Sequence, residues 1–244
     1  MNGIFHLASC PPAQRLWRHG RGLLIALLAT GLGGAWAAQT PYRYTTTGAP
    51  FGNAPGPAAA FAPQARVSGQ FLYDAAAAAT GTASNGGTLY SGSLTGLAGS
   101  VQGLGFADTT GYAAVGNDLA AFGTNDWFQF GANASGAGAQ DLVGFSVPGY
   151  TLVNVRLFWI EGQLGIPDFI SGGQALLPTP PSMPGRLALD FVPVGATTGP
   201  LNFVFFEGLT VTAVPEPASA WLLALGMAGL ARVLGLRRRS AARG

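Results

Sequence analysis

The side chains of this sequence that could do chemistry are carboxylates. Asp118, Asp126, Asp141, Glu161 and Asp168 fall within one stretch of the chain. Two carboxyl groups held roughly 5–10 Å apart can serve as the acid and base, or acid and nucleophile, of a glycosidase. A secreted carboxylate-dependent hydrolase is therefore one reading. In "VGNDLAAFGTND", Asn117, Asp118, Asn125 and Asp126 are hard oxygen donors beside glycines, a composition that suits calcium. Their spacing departs from an EF-hand loop, and Asx-turn chemistry at strand ends accounts for the same residues. Trp127 and Trp159 could form a sugar-stacking platform, but both fall within strands, where a core role is the simpler account.

Other chemistry is excluded by residue type. The histidines are His6 and His19, the single cysteine is Cys10, and there is no lysine. All three lie ahead of residue 38. Residues 38–213 therefore hold no Ser-His-Asp or Cys-His nucleophile, no thiolate zinc site, no disulfide and no P-loop lysine. The expectation is a non-enzymatic body without a cofactor. It carries four basic residues (Arg43, Arg66, Arg156 and Arg186) against nine acids. Such a body lacks the basic stripe that nucleic acid requires.

The remaining arginines cluster at the two ends. "RLWRHGRG" precedes "LLIALLATGLGGAWA", a basic region followed by an apolar run and small residues. This reads as a secretory signal peptide, with Ala35 and Ala37 at the two small positions and cleavage after Ala37. Signal peptidase and the Sec export machinery are the implied partners. Cys10 precedes the apolar run, so it is not a lipoprotein cysteine.

At the other end Pro215, Glu216 and Pro217 stand before a nearly apolar run, residues 218–236, and then Arg237, Arg238 and Arg239. As a helix this run spans roughly 28 Å, close to the hydrocarbon thickness of a bilayer. The three arginines orient it with the body outside the cytoplasm. Two prolines remove two N–H donors and fix two φ angles, leaving an extended peptide that a protease cleft can bind. The arrangement of Val214, Pro215, Glu216 and Pro217, the apolar run and Arg237–Arg239 resembles the PEP-CTERM sorting signal of exported proteins from Gram-negative bacteria. The resemblance implies that an inner-membrane transpeptidase, the exosortase, reads the tail transiently and releases or re-anchors the body. It also implies a setting of exopolysaccharide and biofilm. "VSGQFLYD", "YTLVNVRLFWIEG" and "FVFFEGLTVTAVPEP" resemble the ectodomains of that group, which bring no catalytic residues with them.

The elements that must position these residues are strands. Residues 39–64 are Pro-rich and read as an extended lead-in with one edge strand near 42–46. "RVSGQFLYDA" alternates as a strand does, and "TLYSGSLTGLAGSVQGLGFAD" suggests two or three short strands with glycine at the corners. "GYAAVGND", "DWFQFGA", "DLVGFSV", "GRLALDFV" and "PLNFVFFEGLTVTAV" follow the same pattern, with residues 152–160 as the best central strand. Roughly eight to ten strands without a helix predict an all-β, antiparallel, jelly-roll-like β-sandwich. An N-terminal signal helix and a C-terminal transmembrane helix would flank it. The expected domains are 1–37, the signal peptide; 38–64, the lead-in; 65–213, the ectodomain; and 214–244, the sorting signal. The expected function is an exported surface or extracellular matrix protein, with a carbohydrate-binding module contacting exopolysaccharide as the alternative. A closed body with no pocket favours the former and an open aromatic groove the latter.

Overall fold

The computed structural model describes residues 39–52, 56–132, 142–196, 201–215 and 225–226. The alternating segments form eleven strands: β1 (Thr40–Thr45), β2 (Pro50–Gly52), β3 (Val67–Tyr73), β4 (Gly81–Thr82), β5 (Thr88–Val101), β6 (Leu104–Leu119), β7 (Asn125–Gly131), β8 (Ser146–Val147), β9 (Tyr150–Ile160), β10 (Gly185–Pro193) and β11 (Asn202–Ala213). Hydrogen bonding runs β1-β3-β5-β6-β7-β9-β10-β11, and β11 pairs back onto β1. Eight antiparallel staves therefore close into a barrel.

This corrects the β-sandwich expectation. In a sandwich the first and last strands would be open edges. Here Tyr42↔Ala213 through Thr45↔Thr210 join them. The same seam resumes beyond a short interruption, where β2 pairs with Val204–Phe206 of β11. Alternate residues point inward in both architectures, so the period-two pattern does not distinguish them; ring closure does. The expected lead-in is likewise not a lead-in. It supplies β1 and β2, and β1 is paired on both sides rather than lying at an edge. The glycines expected at corners between short strands instead lie within one long hairpin. Gly92 and Gly96 take left-handed φ of 77° and 61° inside β5, and the β5–β6 register shifts between Ser91 and Leu94. A bulge bends a strand without ending it. The expected signal and transmembrane helices lie outside the described residues, apart from Leu225 and Gly226. Among the described residues no helix is long and apolar enough to cross a membrane.

The barrel interior is a packed aromatic core. Phe130 lies 5.0 Å from Phe71, 4.9 Å from Tyr73 and 4.9 Å from Phe128, ring centre to ring centre. Trp159 is fully buried beside them. The irregular segment between β9 and β10 covers one end of this core. Aromatic side chains bring polar tips to it: Tyr73 Oη donates to Leu177 O at 2.6 Å, Tyr90 Oη to Gln174 O at 2.6 Å, and Trp159 Nε1 to Met183 O at 2.9 Å. These bonds satisfy buried donors while the rings fill the core.

Tyr44 shows how tightly one wall is fitted. Its hydroxyl donates to Ala98 O, and burial pushes its pKa above the usual tyrosine range. A Cβ on Gly99 would sit 2.3 Å from that hydroxyl and 2.6 Å from the Phe106 ring. Gly99→Ala is therefore expected to destabilise the barrel by about 2 kcal/mol and lower Tm by roughly 4–8 °C. A thermal melt unchanged from the parent would contradict this packing.

Candidate functional site

The antiparallel order sends both ends of the described body out of the same barrel end. Thr40 pairs with Tyr73 at the start of β1, and Val214 N–H donates to Pro41 O at 2.8 Å beyond the end of β11. Val214 and Pro215 thus directly continue the last strand. Glu216, Pro217 and Arg237–Arg239 lie outside the described residues, as do Ala35 and Ala37.

Asp118, Asp126, Glu161 and Asp168 lie at that same end. Asp126 is the second residue of β7 and is 1% exposed. Its Oδ1 accepts from Asp118 N–H at 3.3 Å, and its Oδ2 accepts from Phe169 N–H at 2.9 Å and Ile170 N–H at 2.6 Å. Its own N–H donates to Glu161 Oε2 at 3.0 Å. Asp126 thereby pins the β6 bulge and the covering segment to the barrel. Asp168 is exposed at its side. A hydrogen bond with Asp126, and then the charge of that carboxylate, raises the Asp168 pKa, with Glu161 and Asp118 adding to the rise. The calcium candidates are engaged in local structure. Asn117 Nδ2 donates to Gly172 O and Asn125 Nδ2 to Phe122 O, each at 2.7 Å, and Asp118 holds a left-handed φ of 50°. Among the described residues no group of three or more His, Cys, Asp or Glu side chains is arranged to hold a metal. Asp141 lies outside them.

A different region has the form of a ligand site. It is a cleft of about 720 Å³ on the outer wall, lined by residues of β4, β5, β6, β7, β9, β10 and β11. Strand register explains its shape. One row across the wall reads Tyr112, Gly131, Arg156, Ala188, Phe205, Phe51. The next reads Ala114, Gln129, Phe158, Arg186, Glu207. Gly131 and Ala188 in the first row leave a trough between larger side chains. A Cβ on Gly131 would fall 2.4 Å from the Tyr112 ring, so glycine is what lets that ring lie flat along the wall.

The floor of the cleft is polar and densely hydrogen-bonded. Arg156 donates from Nε to Asp190 Oδ2 at 2.7 Å and from Nη2 to Oδ1 at 2.8 Å, and Asn154 Nδ2 adds a bond to Oδ2 at 3.2 Å. Asp190 is 1% exposed. Burial raises its pKa more than Arg156 and Asn154 lower it. Burial also pulls on Arg156, but Asp190 outweighs it and holds the guanidinium above its usual value. Gln129 Nε2 donates to Tyr112 Oη; the hydroxyl is pushed up to about 12, chiefly by burial. Farther along, Arg186 reaches Glu207 Oε1 at 2.9 Å and Gln163 Oε1 at 3.0 Å. The walls are aromatic. Phe205 and Phe203 line the cleft 5.9 Å apart, Phe51 adjoins Phe205 at 5.4 Å, and Trp127 stacks on Phe122 at 5.8 Å.

Of the two candidate tryptophans, Trp159 belongs to the core and Trp127 borders the cleft. Sequence reasoning missed Arg156, Asp190, Gln129, Tyr112, Phe203 and Phe205. One signal pointed to the first two. Arg156 and Asp190 are charged residues inside otherwise apolar strands, "LVNVRLFWI" and "RLALDFV", and two of the four body arginines lie in those strands.

Residues 213–239 match the family model of the PEP-CTERM protein-sorting motif. No curated protein and no solved structure matches the chain.

Proposed function

For a chain that ends in a PEP-CTERM sorting motif, and is therefore of the exported, exosortase-sorted kind, we propose a non-enzymatic role at the cell surface or in the extracellular matrix. The whole barrel is the cargo. The observation that carries this reading is the absence of any spacer: β11 ends at Ala213, the residue at which the sorting motif begins. The first stave follows the expected signal-peptidase site and the last leads into the motif, so both processing events act at one barrel end. Cleavage within or beside the motif leaves every barrel residue intact. A role in binding rather than catalysis is supported by the state of the carboxylates. Asp190 is held by Arg156, Glu207 by Arg186, and Asp126 by three backbone donors. None of the three is placed as a general base. An exopolysaccharide or biofilm setting fits this reading.

The chain should be expressed in a Gram-negative host with and without its exosortase. The expected result is a full-length membrane form without the enzyme. With it, a shorter form should appear whose lost mass lies after residue 213. Identical mass and location in the two strains would overturn the sorting role. The carbohydrate-binding alternative is favoured by the outer cleft, as argued next.

A further inference from the structure

We infer that the cleft on the outer barrel wall is a binding site for an uncharged sugar ring of an extracellular polysaccharide. The inference rests on the exported-surface reading for access to such a ligand, but not on how the tail is processed.

The first argument is energetic. The outer wall of a barrel needs no buried ions, and a buried ion pair is commonly no more stabilising than apolar side chains of similar volume. Yet Arg156 and Asp190 occupy the middle of this wall, with Asp190 out of solvent at the floor of an open cleft. A pair of this kind contributes directional polar atoms to a site. Two of the five N–H donors of Arg156 are committed to Asp190, which fixes the plane of the guanidinium. Asn154 and the Gln129–Tyr112 pair are fixed by bonds in the same way. Polar groups set before the ligand arrives lose little entropy when it binds.

The second argument is shape. Phe51, Phe205 and Phe203 form a run of rings tilted by only 31° and 30° to one another. Phe51 is 43% exposed, and the other two are half-buried. Arg156 lies over the Phe203 ring at 5.3 Å and Arg186 over the Phe51 ring at 5.7 Å, and such partly exposed rings beside fixed hydrogen-bonding groups suit a ligand that is flat and apolar on one face and polar around its rim. A pyranose has that form: C–H groups on its faces and hydroxyls at its edge, each able to donate and accept.

The third argument is charge. The two guanidinium groups that line the cleft are each paired with a carboxylate: Arg156 with Asp190 at its floor, and Arg186 with the neighbouring Glu207. A uronate or sulfated sugar would find no surplus positive charge here, and complementarity favours a neutral ring.

The test uses the exported protein purified from the host. Dextran, a galactan, a mannan and alginate are titrated by calorimetry against the parent and Phe203→Ala. The inference expects at least one neutral polysaccharide to bind, with alginate at least tenfold weaker. It expects Phe203→Ala to lose at least tenfold in affinity while its Tm stays within a few degrees of the parent. Three outcomes overturn it: no neutral probe binds, alginate binds as well as they do, or Phe203→Ala binds unchanged. Tail processing is followed separately by mass. A protein that is cut but binds no sugar defeats this inference alone, and one that binds sugar but is never cut defeats the sorting reading alone.

Discussion

Arg156→Leu is expected to destabilise the barrel by about 3–5 kcal/mol at pH 7, a large share of the stability of an ordinary domain. The reason is what it leaves behind. Asp190 is 1% exposed, and Arg156 supplies two of its three side-chain donors. Without them, a buried carboxylate keeps only Asn154. The pH dependence follows from the direction of the Asp190 pKa, which is already above its usual 3.8 because of burial. Losing Arg156 raises it further. A carboxyl that holds its proton more tightly when folded than when unfolded favours the folded state as pH falls. The stability it withholds at neutral pH is recovered on going down through the raised folded pKa towards 3.8. The deficit of Arg156→Leu should therefore shrink between pH 7 and pH 5. The double variant Arg156→Leu/Asp190→Leu removes both charges and should return to within about 1–2 kcal/mol of the parent. Urea denaturation of the three proteins at both pH values checks this. A deficit that grows on acidification, or a single variant as stable as the parent at pH 7, would rule the account out.

Asp126→Ala is the second large effect, expected at about 4 kcal/mol. Three backbone N–H groups lose their acceptor at once: those of Asp118, Phe169 and Ile170. Each buried donor left unpaired costs about 1–3 kcal/mol, and relaxation of the covering segment recovers part of the sum. Hydrogen exchange should locate the damage, with the Phe169 and Ile170 amides losing protection before those of the β9 ladder. Asp126→Asn separates charge from geometry. Its side-chain oxygen can still accept from Phe169 and Ile170, so the loss should be about 1–2 kcal/mol. It also removes the negative charge that raises the Asp168 pKa. The Asp168 carboxyl should then titrate closer to the usual value, which an NMR titration reads directly. An Asp168 pKa that stays raised in Asp126→Ala, which removes both the hydrogen bond and the charge, would place its cause elsewhere.

These two carboxylates show how far sequence reasoning reached. Asp126 was singled out from its type and its neighbours, for calcium or for catalysis. Two of its three backbone partners are amides more than forty residues further along, and nothing local to "TNDWFQF" specifies them. Asp190 was passed over because it stands alone in its strand. Its significance comes from Arg156 on the adjacent strand, and that pairing follows from the β9–β10 register. The acids nearest in sequence brace the barrel end, whereas the cleft assembles residues from seven strands.

The strands themselves were easier to read, because period-two burial is written into each segment. "YTLVNVRLFWI" became β9, with Val155, Leu157 and Trp159 facing inward. The glycine-rich hairpin was harder. A left-handed glycine can end a strand or bulge it, and only pairing along the whole of β5 and β6 selects the bulge.

By itself, the sequence determined the all-β character, the exclusion of His, Cys and Lys chemistry from the body, and the C-terminal sorting motif. Each of these depends on residue type or on spacing along a short run of chain. Only the tertiary structure decided that the body is a barrel, that its first strand is a stave rather than a lead-in, and that an aromatic-walled cleft crosses its outer surface. The physical reason is common to all three. Inward and outward faces alternate identically in open and closed sheets. Which outward residues become neighbours is set by the register between strands far apart in sequence, and by the pairing of the first strand with the last.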